Sequence, residues 1–138
     1  MTPKTVKLIV FIVLLVHGVG HLQGVAAALG VKINKGQPAQ SWLLKSLSVN
    51  SNKSICLALF LLTGVLGILT ALSFQQIIFL YAWQSFAIPT VVLSTLCLIV
   101  FPNGFAMFFN KIGAVVVNLF LWYSVVFGQH WPAILFED

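Results

Sequence analysis

The chain contains no arginine, and its only two carboxylates, Glu137 and Asp138, occupy its last two positions. Charged residues make up 7% of the 138 positions, whereas a soluble domain carries about 25% to cover its water-facing surface. Without arginine there is no bidentate fork for phosphate or guanine. The net charge of +5 and pI of 9.6 therefore do not point to nucleic acid. The seven lysines lie in or near breaks between apolar runs, where they would meet anionic lipid headgroups. The shortage of acids also excludes paired-carboxylate catalysis and the H-E-x-x-H metalloprotease pattern. Proton-coupled transport loses its usual intramembrane Asp or Glu. No glycine-rich phosphate loop follows a strand pattern. Two cysteines, Cys56 and Cys97, are too few for a disulfide framework and lack metal-motif spacing. Both sit inside apolar runs, where cysteine behaves as a small hydrophobe.

What is present is apolar. Hydrophobic residues make up 60% of the chain, and its mean hydropathy is +1.07. The apolar residues fall into four runs, at about 6–30, 54–73, 77–101 and 112–128. Each is long enough to cross about 30 Å of hydrocarbon at about 1.5 Å per helical residue. Helices satisfy their own backbone amides in lipid, and continuous apolar blocks do not fit the alternating short strands of a barrel. The expected fold is all-α, a polytopic four-transmembrane-helix bundle forming one domain over 1–138. The first run also resembles a signal peptide, with Lys4 and Lys7 before it and Ala26-Ala27-Ala28 near its end. Its interruption by His17, Gly18, Gly20 and His21, and its spanning length, favour a retained helix.

The longest connection, from Val31 to Lys53, carries Lys32, Lys35, Lys45 and Lys53, with Asn34, Gly36 and Pro38 as turn formers. Within it, residues 41–49 read as a short amphipathic segment anchored by Trp42 in the headgroup layer. A tight hairpin is expected around Ser73–Gln76, and Pro102-Asn103-Gly104 breaks the chain before the fourth run. Lysine placement predicts a cytoplasmic long loop, with both termini outside. Lys4 and Lys7 pull the other way.

The groups with chemical capacity cluster in the first run, at His17-Gly18-Val19-Gly20-His21-Leu22-Gln23-Gly24. Spacing of i and i+4 puts His17 and His21 on one helix face near mid-membrane. An ionisable residue at that depth is a candidate for function. Three readings are open: hydrogen bonding to a neighbouring helix, ligand or metal binding, and proton relay. Partners for the first are Thr63, Gln84, Ser85 and Asn118, and His17, His21, Gln84 and Asn118 together make the expected polar centre.

As metal ligands, His17 and His21 supply two nitrogens where a site needs three or four. His130 lies beyond the fourth run, towards the other surface. A haem or divalent metal therefore requires ligands from elsewhere, for instance from a second copy pairing first helices. Two histidines on one face cannot clamp a haem from both sides. Gly20 and Gly24, together with Gly64 and Gly67 in the second run, are expected helix-packing positions. Pro89 should free the Ser85 carbonyl within the third run. Trp83, Trp122, Tyr123 and Trp131 suit interfacial anchors, and Trp131-Pro132 closes the fourth run. The partners implied are the lipid bilayer and either a homo-oligomer or a larger membrane complex.

The string His17-Gly18-x-x-His21-Leu22-x-Gly24 resembles the first helix of a group of small bacterial four-helix membrane proteins. The size and four-helix layout are also similar, more loosely, to DoxX-like proteins. The resemblance implies a four-helix fold in a bacterial-type inner membrane, and it carries no activity. The function expected is that of a binding or accessory membrane subunit with a His17/His21 centre. The alternative is a membrane oxidoreductase or metal- or haem-handling protein in which both histidines are ligands.

Overall fold

The computed structural model describes residues 2–31, 40–79 and 82–127. Over these residues the chain is an all-α four-transmembrane bundle. Its helices are α1 (Pro3–Ala28), α2 (Val49–Phe74), α3 (Trp83–Val100) and α4 (Phe108–Val126), with a single 3-10 turn at Pro102–Gly104 before α4. All four are long and apolar enough to cross a bilayer. Lys32, Lys35, Gly36, Pro38 and the segment 128–138, with His130, Trp131 and both carboxylates, lie outside the described residues.

Helix ends follow local chemistry more closely than hydropathy does. The hydroxyl of Thr2 accepts the Thr5 amide at the start of α1. Ser48 does the same for Ser51, so α2 begins at Val49 and takes in polar residues that the apolar run at 54–73 left out. Gly30, at φ 84, closes α1, where the Val31 amide reaches back to the Ala26 carbonyl. Gln76 takes the same left-handed role after α2, at φ 62, with the Ile77 amide donating to the Leu72 carbonyl. That reversal, followed by positive φ at Phe79, keeps Ile77 and Ile78 out of α3. The third helix therefore starts at Trp83 rather than 77, and the link before it is longer than a tight hairpin. The fourth starts at Phe108, ahead of the expected 112.

The amphipathic segment expected at 41–49 is a string of bends and turns over 41–48, fastened to the bundle, and Val49 already opens α2. Buried Asn52 holds it: its carbonyl accepts the Ser41 amide, and its amide donates to the carbonyls of Leu44, Leu47 and Ser48. The indole of Trp42 donates to the Ile99 carbonyl at 2.6 Å, in the last turn of α3, where carbonyls lack helical partners.

Neighbouring helices run antiparallel. On α1 and α2, Gly18 meets Gly64 and Gly67 while Gly24 meets Phe60. On α2 and α3, Thr63 meets Cys97 while Thr70 meets Thr90 at 3.2 Å. Lys45, Lys53 and Lys111 consequently share one end of the bundle and Lys4 and Lys7 the other. Two apolar clusters fill the interior. One joins Leu14, Phe74, Trp83, Val91, Val117 and Leu121, and the other Cys56, Phe60, Cys97, Phe101, Phe105 and Ala114. The histidines of α1 lie between them.

Candidate functional site

The α1 face that turns inward comprises Leu14, His17, Gly18, His21, Gly24, Ala27 and Ala28, all buried. Steps of three and four residues produce this stripe, and it carries both histidines inward together. Gly18 brings α1 against α2: a Cβ there would sit 2.7 Å from the Ile68 amide nitrogen and 2.9 Å from the Gly67 carbonyl carbon. Gly67 is equally confined, by the Gly18 Cα at 2.8 Å. Gly24 and Gly104 leave room for the Phe60 ring, which a side chain at either position would strike.

His17 is 8% exposed and His21 1%. Their rings stand edge to face, with centroids 4.9 Å apart. His21 packs against Phe60 and Phe105, at 5.8 and 5.4 Å between centroids. Its Nε2 lies 3.0 Å from the Ser94 hydroxyl on α3. Nδ1 of His21 and Nε2 of His17 are buried with no hydrogen-bond partner among the described residues. A buried polar group left unpaired costs about 1–3 kcal/mol, so two such atoms on adjacent rings are not what simple bundle cross-linking would produce.

Both histidines line a cleft between α1 and α4 of about 370 Å³. Val16 and Gly20 on one wall face Phe109, Gly113 and Val117 on the other. At one end the helices are latched by Gln23, whose side-chain oxygen accepts from the Asn110 side chain at 2.7 Å and the Ala106 amide at 3.2 Å. Beyond this latch the walls separate. A Cβ at Gly20 or Gly113 would meet nothing within 4 Å.

The expected polar centre is only partly assembled. His17 and His21 come together, but their partner is Ser94, which spacing alone did not single out. Gln84 lies in the first turn of α3, ten residues before Ser94 and about 15 Å from it along the axis. Ser85 is exposed. The Thr63 hydroxyl donates to the Leu59 carbonyl of its own helix and lies near Cys97. Asn118 is buried, but it faces α3, donating to Thr95 Oγ1 at 3.3 Å, and its own carbonyl oxygen has no partner among the described residues. It belongs to a separate groove between α3 and α4. Among the expected packing glycines, Gly24, Gly64 and Gly67 face close neighbours. Gly20 does not, because the rotation that seats Gly18 on α2 turns Gly20 into the cleft.

Gln23 and Asn110 escaped the sequence reading. Gln23 stands inside the histidine string, and a glutamine two positions past His21 was the available signal.

Among the described residues, no three His, Cys, Asp or Glu side chains gather in a way that could hold a metal. The cysteines are buried in the neighbouring cluster, with the Cys56 thiol 3.8 Å from the Gly24 carbonyl. Comparison with protein-family models, with curated proteins and with solved structures finds no match to this chain.

Proposed function

We propose that this four-helix membrane protein is a binding or accessory subunit whose His17/His21 centre receives a ligand through the α1/α4 cleft. The observation that carries this reading is that His17 and His21, whose Nε2 and Nδ1 respectively are buried without a hydrogen-bond partner among the described residues, both line that cleft. A structural pair would have both rings satisfied by neighbouring helices, as Thr70 and Thr90 are. Its setting is a bacterial-type inner membrane, with the lysine-rich connection in the cytoplasm and both termini outside. Catalysis by the chain alone has no named machinery in this reading, and a metal or haem would need further ligands from a second copy or partner.

Native mass spectrometry of protein extracted with its lipids, combined with metal analysis and an optical spectrum, tests the centre. The expected outcome is a bound small molecule that is lost in the His17→Ala/His21→Ala variant while the bundle remains folded. A haem band or stoichiometric metal in the wild type would move the assignment to a ligand-bridged redox or metal centre. For orientation, Gly36→Cys should be shielded from an impermeant thiol reagent in intact cells and Asp138→Cys labelled. The reverse pattern would invert the topology.

A further inference from the structure

Taking the His17/His21 pair as a ligand centre, the geometry of the cleft also narrows the ligand. We propose that the α1/α4 cleft binds an uncharged, lipid-soluble molecule that presents a carbonyl oxygen to the histidines near mid-membrane. The proposal rests on that ligand reading, and it adds the ligand's charge, its hydrogen-bonding group and its route of entry.

The hydrogen-bonding group follows from Ser94. Its hydroxyl has no partner among the described residues other than His21 Nε2. A serine proton needs an acceptor, and donating to Nε2 provides one; the opposite arrangement would strand that proton in the core. The imidazole then carries its own hydrogen on Nδ1, the atom left without a partner. A buried N–H of this kind requires an acceptor, and a carbonyl oxygen is a neutral group that supplies one.

The charge follows from depth and lining. By rise along α1 (Pro3–Ala28), His17 lies about 2 Å and His21 about 8 Å past the helix midpoint. A phosphate or ammonium headgroup at that level would be far from the headgroup layer and would need a counter-charge. Among the described residues the cleft offers none: no lysine and no carboxylate lines it. Its polar side chains besides the histidines are Gln23 and Asn110, already bonded to each other.

Size and entry follow from the walls. A cleft of about 370 Å³ is more than ten times the roughly 30 Å³ that one water occupies in the liquid, and it lies in the range of small-molecule sites. Gly20 and Gly113 stand on opposite walls with open space where their side chains would be. Exposed Ile12, Val13 and Val16 continue the α1 wall outward. The entrance is therefore apolar, and a molecule dissolved in the acyl chains could enter sideways.

Two sources share this chemistry, a carbonyl on a ring and a carbonyl in a glycerol ester. The test uses full-length protein, with its histidines labelled with ¹⁵N, in phosphatidylcholine nanodiscs. Decyl-benzoquinone, dioctanoylglycerol and dodecyl phosphate are titrated separately, and the His21 Nδ1 resonance is followed. The expected result is a saturable shift with at least one carbonyl probe and none with dodecyl phosphate. Gly20→Leu and Gly113→Leu, at positions where an added Cβ meets nothing within 4 Å, put bulk into the cleft and should each weaken that binding about tenfold or more. Which carbonyl probe saturates identifies the source.

An equal response to dodecyl phosphate, or no saturable response to either carbonyl probe, overturns the proposal. If dodecyl phosphate or Zn²⁺ alone gives a saturable shift that disappears in His17→Ala, the ligand class fails and the binding centre stands. If no probe responds and native mass spectrometry finds no small molecule that is lost in His17→Ala/His21→Ala, both fail.

Discussion

Helix α1 has two seams, and glycine serves opposite purposes in them. On the α2 side, Gly18 and Gly67 bring backbone against backbone, so that even one added carbon would collide with main chain. On the α4 side, Gly20 and Gly113 stand on opposite walls of the cleft, and no described residue lies within 4 Å of where either Cβ would be. The threonines and the histidines also differ. Thr63, Thr70 and Thr90, at or near the α2 seams, each return their hydroxyl to a carbonyl of their own helix. The histidines, on the α4 side, keep two ring nitrogens unpaired. In lipid there is no hydrophobic drive to press helices together, so close fit and hydrogen bonding decide which seams shut. The first seam is built to close. The second is latched at Gln23 and Asn110 and otherwise held apart.

The largest effect should separate the two glycine classes. Gly18→Leu must displace the α2 backbone, and overpacking of this kind costs about 1–3 kcal/mol or more. Gly20→Leu, on the same helix two positions away, should change stability by no more than about 0.5 kcal/mol. Helix propensity works in its favour, since leucine suits a helix better than glycine does. Thermal unfolding in detergent, followed by circular dichroism, checks both. Equal destabilisation by the two variants would erase the distinction between the seams.

A smaller effect sharpens the role of the histidines. His21→Ala removes the bond to Ser94, which should lower stability by about 0.6–2 kcal/mol. Ser94→Ala should cost a similar amount, and the double variant little more than either, because both substitutions remove one interaction. His21→Gln should recover the stability while failing to restore whatever the centre binds. Full recovery of binding by glutamine would mean that an amide suffices there and that the imidazole is not specifically required.

Fold class was legible because lipid imposes a crude rule: a run of apolar residues about 30 Å long must be helical. The ends were less so, since the rule counts apolar side chains while helices stop where backbone geometry changes. Ile77 and Ile78 look like the start of a span, yet they follow a left-handed Gln76. Residues 49–53 look like loop, yet Ser48 caps a helix through them. The shared face of His17 and His21 could be read from a spacing of four. Ser94 could not, because choosing it over Gln84, Ser85 or Asn118 requires the relative height and rotation of α1 and α3. The glycine pattern failed for the same reason. G-x-x-x-G spacing joins Gly20 to Gly24 on paper, but the seam runs through Gly18 and Gly24, where α2 presents Gly64, Gly67 and Phe60.

The central claim is that membrane lipid has access to the histidines through the α4 side of α1 and is shut out of the α2 side. It can be tested by NMR of the protein in nanodiscs, measuring magnetisation transfer from lipid acyl-chain protons. Cross-peaks to the imidazole protons of His17 and His21 are predicted, with none to the amides of Gly18 and Gly67. In Gly113→Leu the histidine cross-peaks should fade while the others stay absent. Silent histidines in the wild type, or lipid contact at Gly18 equal to that at His17, would contradict the account.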